Sequence, residues 1–163
     1  MPNQNQVKYV PAGAGPMYWG PGDRVRFLAT GANSHGSCFI FEGLTVPGAG
    51  PPPHIHHNED ECFYVLEGTA TFQAEGQTIH AKQGDFIHIP RGTVHSLKNE
   101  GKVPTRFLIV TSPAGPTGMQ QFVEESFYPT TNQSASPPPI TEELVNRMLA
   151  AAARNGLELV KPA

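Results

Sequence analysis

His54 and His56 stand two residues apart, and Glu61 follows five residues after the second. On a β-strand, residues i and i+2 project to the same face. The two imidazoles can therefore aim at one point, while Ile55 cannot. Imidazole and carboxylate together suit a first-row divalent metal. A His-x-His pair with a nearby acid also arises by chance on a surface, so the reading depends on a distant residue to complete the set. His95, 41 positions after His54, is that candidate. Three imidazoles and one carboxylate fill at most four coordination positions. A six-coordinate Fe, Mn, Ni or Co ion would keep places for water and substrate, and Zn or Cu is also compatible. Open places belong to a reaction site rather than to a closed structural one.

Other residue types that could do chemistry have weaker support. His57 adjoins the pair but has the opposite parity, which puts it at the rim. His35, His80 and His88 have no acid at metal spacing. Within Glu59-Asp60-Glu61 only Glu61 has the right position, and its neighbours read as a solvated acidic turn. Arg91 reads as a solvated loop charge. Cys62 should face away from Glu61, with no base nearby to activate its thiol.

The elements that must position these groups are short strands. The chain has 163 residues, with 17 glycines and 17 prolines, 38% hydrophobic and only 15% charged residues. That is enough chain for one domain with a real core, and enough punctuation to favour turns over long helices. Strands are predicted at residues 23–30, 37–46, 61–68, 69–74, 77–81, 86–89, 93–98 and 105–111. Glu67-Gly68 and Glu75-Gly76 read as hairpin turns. Parity puts Glu61, Phe63 and Val65 on one face, and Cys62, Tyr64 and Leu66 on the other. Residues 47–53 hold four prolines and two glycines. They form a stiff extended lead-in that delivers His54 with little chain entropy left to lose. Turns at this spacing indicate an all-β sandwich or barrel.

Three units follow: an N-terminal arm at 1–22 tacked on by Tyr18-Trp19, a barrel at 23–128, and a linker and C-terminal helix at 129–163. Residues 119–127 read as a short helix or an irregular cover. Residues 142–155 read as a helix with Glu142 and Glu143 in its first turn, where acids suit the helix dipole. Its apolar stripe is Leu144, Val145, Met148, Leu149 and Ala152, and Gly156 ends it. The helix is expected to dock on the barrel or on a partner subunit.

The net charge is −3, with no basic run, which argues against nucleic acid and polybasic membrane surfaces as partners. No apolar run reaches transmembrane length. The first six residues lack the order of a signal peptide, so a cytoplasmic setting is expected. Cys38 and Cys62 are then free thiols.

Two spaced motifs carry a family resemblance. Gly48, His54, His56, Glu61 and Gly68 follow the pattern Gly-x5-His-x-His-x3–4-Glu-x6-Gly. Gly84, Pro90, Gly92, His95 and Asn99 follow Gly-x5-Pro-x-Gly-x2-His-x3-Asn. The chain thus resembles the cupin superfamily, and the absence of a second motif set points to a single barrel. The resemblance implies a double-stranded β-helix, or jelly roll, with a metal held by His54, His56, Glu61 and His95. More diffusely, Tyr18-Trp19 with Gly22-Asp23, residues 51–56 and 61–68, Thr111–Gly115 and the C-terminal helix resemble the quercetinase-like branch. That branch implies cleavage of a flavonol ring with O2 and release of carbon monoxide, with Glu61 as ligand and catalytic base, and a homodimer. Another metal-dependent enzyme (isomerase, lyase or decarboxylase) or a non-enzymatic small-molecule binding barrel stays open as an alternative.

Overall fold

Buried and half-buried positions alternate without a break through Phe39–Thr45 and Thr105–Ser112, the pattern of strands with one face on a core. The structure, a computed structural model, describes residues 7–160; the first six residues of the expected arm and the last three of the chain lie outside it. The elements in order are β1 (Met17–Trp19), β2 (Asp23–Ala29), a 3-10 turn (Gly31–Asn33), β3 (Phe39–Thr45), β4 (His54–His56), β5 (Asp60–Glu67), β6 (Thr69–Ala74), β7 (Gln77–Lys82), β8 (Phe86–Ile89), β9 (His95–Lys98), β10 (Thr105–Ser112), α1 (Met119–Ser126), β11 (Tyr128–Thr130), α2 (Glu142–Arg154) and β12 (Leu157–Leu159).

Two antiparallel sheets face each other. The larger runs β11-β1-β2-β3-β10-β5-β8, the smaller β12-β4-β9-β6-β7. The architecture is a double-stranded β-helix with two short helices. Phe63 and Phe107 from the large sheet meet Phe72 from the small one, edge to face, with centroids 5.0 to 6.2 Å apart. These rings fill one part of the interior as a packed core. Glu75 and Gly76, both at positive φ, make the two-residue turn of the β6–β7 hairpin, as a primed turn requires.

Several expectations change. Met17–Trp19, placed in the arm, is a sheet strand paired with both β2 and β11. Glu67-Gly68 is not a hairpin turn: β5 and β6 lie in different sheets, so it is a corner between them. The helix stripe is narrower than its periodicity suggested. Leu144, Ala151 and Ala152 are buried, but Val145 and Leu149 are exposed, because α2 meets α1 and the barrel along one side only. Thr141 caps α2 by accepting from the Leu144 amide at 3.2 Å. The strands β11 and β12, three residues each, carry too little pattern to be seen in sequence.

The proline lead-in is held by the end of β9. The Gly48 amide donates to the Asn99 carbonyl and the Asn99 amide to the Ala49 carbonyl, both at 2.8 Å. A Cβ on Gly50 would collide with the Leu97 carbonyl, and Gly50 has φ of 146°, so only glycine allows this approach. Asn99 is fully buried. Its amide donates to the carbonyls of Thr45 and Val103 at 3.0 and 2.8 Å, and its Oδ1 accepts from the Gly101 amide at 2.9 Å. The last residue of the second motif is thus a structural clasp. Cys38 and Cys62 are free thiols. No helix among the described residues is long and apolar enough to cross a membrane.

Candidate metal centre

β4 and β9 are neighbours in the small sheet, and His54 and His95 are register partners. His56 lies on the same face as His54, two residues on. Glu61 sits on β5 of the large sheet and reaches across the interior. All four are buried, and one donor atom from each lies within 4.8 Å of every other. His54 and His56 do not share a hairpin with Glu61, because β4 and β5 lie in different sheets and do not pair. Three imidazoles come from one sheet and the carboxylate from the other, so the cluster ties the two sheets together.

Each imidazole is oriented through Nδ1. His54 Nδ1 lies 2.8 Å from the Pro52 carbonyl and His95 Nδ1 lies 3.0 Å from the Thr93 carbonyl. A carbonyl only accepts, so both Nδ1 atoms are the donors, which leaves each Nε2 as the ring position available to a metal. His56 Nδ1 lies 3.2 Å from Glu59 Oε1. The freed Nε2 atoms point inward. Glu61 Oε2 stands 3.2 Å from His95 Nε2 and 3.5 Å from His56 Nε2.

Burial, with the charges of His56 and His95 around it, pushes the His54 imidazole down to about 4, so it is neutral at ordinary pH. At His56 burial opposes the charged form, but Glu61 and Glu59 outweigh it and raise its pKa. Glu61 is fully enclosed, which favours the neutral acid, yet His56, His95 and His54 together hold its pKa below the ordinary value. An anionic carboxylate thus faces three imidazoles inside the barrel. Inward Nε2 atoms with Nδ1 groups bonded behind them, beside a carboxylate, are the donor set and orientation that an N/O-ligated divalent cation needs.

Glu59 was read from sequence as part of a solvated turn. It is buried, 2% exposed. Its Oε1 accepts from the Met119 amide at 2.7 Å as well as holding His56. Parity held the missed signal, because Glu59 and Glu61 are two residues apart. Gly118 makes room for it: a Cβ there would collide with the Glu59 carboxyl. Asp60, of the opposite parity, accepts from the Arg91 backbone amide at 3.0 Å and from Arg91 Nε at 2.9 Å. Arg91 is engaged there, at the surface. His57 sits at the rim and pairs with Glu158 at 2.8 Å. His80 lies by Thr71 and His88 by Asp60, both away from the cluster. Cys62 pairs outward with His88 and Val110, and partial burial, followed by Asp60 and Glu61, raises its thiol pKa.

The cluster opens into a cavity of about 120 Å3, walled by Val25, Phe41, Phe107 and Ile109 and roofed by Phe122 of α1 and Met148 of α2. Three further polar residues line it: Asp23, Arg24 and Thr45. Asp23, at the start of β2, accepts from Thr45 Oγ1 at 2.6 Å. Burial drives its carboxyl up to about 6, against the Thr45 hydrogen bond.

A buried three-His, one-Glu cluster inside a double-stranded β-helix has the donor set of a divalent metal centre. Residues 44–111 match the Cupin domain family model, and this stretch contains all four candidate ligands. The chain is 35% identical over 102 residues to quercetin 2,3-dioxygenase of Bacillus subtilis, covering 57% of this chain and 30% of that protein. It is 28% identical over 95 residues to the tetracenomycin polyketide synthase protein TcmJ of Streptomyces glaucescens, covering 58% of this chain and 62% of that one. The crystal structure of a Thermotoga maritima protein described as a predicted oxalate decarboxylase superposes with a TM-score of 0.62 at 22% identity, over 65% of this chain and 99% of that one. This last likeness is one of fold. The chain spans 30% to 62% of the length of these two curated relatives.

Proposed function

We propose that the protein is a metal-dependent dioxygenase acting on a small enolisable or phenolic compound, with His54, His56, Glu61 and His95 as ligands of a divalent Fe, Mn, Ni or Co ion. The observation that carries this reading is the convergence of four oriented donors from both sheets at one end of a largely apolar cavity. A bound ion would supply Lewis acidity, lowering the pKa of a hydroxyl that binds to it. The chain's own residues do the rest. His54 and His95 are fixed by backbone carbonyls, so the cluster need not reorganise to bind. The Phe41, Phe107 and Phe122 rings exclude water and offer apolar surface to a ring. Glu61, anionic and inside the cavity, is the base that takes the hydroxyl proton. The likeness to the Bacillus quercetin dioxygenase supports the oxidative direction.

Cavity size narrows the substrate. An apolar cavity of about 150 Å3 holds one benzene molecule, and this one is about 120 Å3. A body of about one ring fits beneath α1 and α2 as they stand, and a three-ring flavonol needs those helices to move. The likeness to TcmJ, a polyketide synthase protein, supports a second reading, another metal-dependent reaction on a polyketide-type compound, which as an isomerase, lyase or decarboxylase would turn over without O2.

The test is anaerobic purification with elemental analysis, then O2 uptake with product analysis on flavonols, diketones and single-ring enols. Uptake matched to ring or chain cleavage supports the dioxygenase. Turnover without O2 rejects it in favour of the second reading. Protein that takes up no Fe, Mn, Ni or Co leaves only a binding barrel.

A further inference from the structure

Asp23 is half-buried, and among the described residues its carboxyl receives one hydrogen bond, at Oδ1 from Thr45 Oγ1. Its second carboxyl oxygen has no protein partner there. Arg24, next in sequence, does not supply it. Its guanidinium donates to the Gln133 carbonyl and lies over the Trp19 ring. Asp23 keeps part of its surface open, and that surface lines the same cavity as the His and Glu cluster.

The register puts Asp23 in a different place from the cluster. Asp23 pairs with Thr45, which pairs with Thr105 at the start of β10, whereas Glu61 pairs with Thr111 near its end. Between these two polar stations the walls are apolar: Val25, Phe41, Phe107 and Ile109. Thr45 is itself held firmly, since Asn99 donates to its carbonyl at 3.0 Å. The hydroxyl that orients Asp23 is therefore on a fixed strand.

Building on the metal-dependent reading above, we propose that Asp23, oriented by Thr45, is a second anchoring point. Its unshared carboxyl oxygen accepts a hydrogen bond from a hydroxyl on the substrate end remote from the four-residue cluster. The substrate is then a compound of about one ring, with enolic or phenolic oxygens at one end for the metal ligands' side and a second hydroxyl at the other.

The test uses two enolic pyranones that differ only at the remote position. Kojic acid carries a hydroxymethyl group there and allomaltol a methyl group. Their affinities for the Co(II)-loaded full chain are measured by calorimetry without O2. One hydrogen bond to a carboxyl is worth about tenfold in affinity, so kojic acid should bind wild type about tenfold more tightly. In Asp23→Leu the ratio should fall to about one, in keeping with the loss of that bond. Asp23→Asn, which keeps an acceptor and nearly the same shape, should retain part of the preference. Cobalt content should be unchanged in both variants, and Asp23→Asn guards against a folding defect. Equal affinities in wild type, or a preference that survives Asp23→Leu, overturns the proposal. If neither pyranone binds, the metal-side reading fails on its own, and 4-ethylphenol against ethylbenzene then tests Asp23 without any metal. A phenol preference lost in Asp23→Leu upholds the anchor, and its absence in wild type overturns it.

Discussion

Glu59 Oε1 stands 3.2 Å from His56 Nδ1 and 2.7 Å from the Met119 amide. One buried carboxyl thus orients a candidate metal ligand and holds the first turn of the helix that roofs the cavity. Outer carboxylates of this kind fix the ring orientation of a ligating histidine and raise its basicity.

Glu59→Gln should therefore weaken metal binding by about 10- to 100-fold while leaving the fold intact. Competition with a chromogenic chelator measures the affinity, and circular dichroism checks the fold. Glu59→Ala should lose more, because the Met119 amide also loses its acceptor. An unchanged affinity in both variants would show that Glu59 serves only the helix.

His56→Ala and His95→Ala should each reduce bound metal to background after Co(II) loading and dialysis, and abolish turnover with it. Elemental analysis and the visible spectrum of the cobalt protein check this. His57→Ala, at the rim and paired with Glu158, should keep its full metal content. Retention of a full equivalent by either ligand variant would remove that residue from the centre.

Asp23 makes stability depend on pH in a definite direction. Its carboxyl sits at about 6 in the fold, against about 3.9 for an ordinary aspartate. Between these values the native state holds a proton that the unfolded chain has released, so stability falls as pH rises through this window. The cost is complete above pH 6 and is on the order of 3 kcal/mol. Asp23→Asn should accordingly raise the melting temperature at pH 7.5 and bring little gain at pH 4. Equal gains at the two pH values would mean that Asp23 titrates normally.

Tyr64 and Phe86 are register partners on the outer face of the large sheet, 44% and 63% exposed. With β8 an open edge strand, this face suits pairing with a second copy of the chain. We propose a homodimer through it. Light scattering should give about twice the mass of the 17.6 kDa chain, and Tyr64→Glu with Phe86→Glu should give monomers. A monomeric wild type at high concentration sinks the idea.

The sequence displays the ligand set because strand parity is local. His54-Ile55-His56 and the run from Glu61 to Leu66 reveal which way each side chain points without knowledge of strand neighbours. It does not display that β4 lies beside β9 and opposite β5, since that pairing joins residues far apart in the chain. Glu59 escaped because it precedes its strand and resembles its solvated neighbour Asp60. Asp23 escaped because nothing local distinguishes a carboxyl at a strand start facing water from one facing a cavity. Val145 and Leu149 fit a helical stripe, but periodicity does not report how wide the docking surface is.

The pairing of Leu157–Leu159 with His54–His56 has a consequence for how the protein is made. The His57–Glu158 contact bridges 101 positions, so most of the barrel is synthesised before the strand that flanks two candidate ligands exists. Until then β4 has a bare edge, and its histidines are open to the solvent from that side. The cup therefore closes at this corner only once a strand made about a hundred positions after His57 has docked.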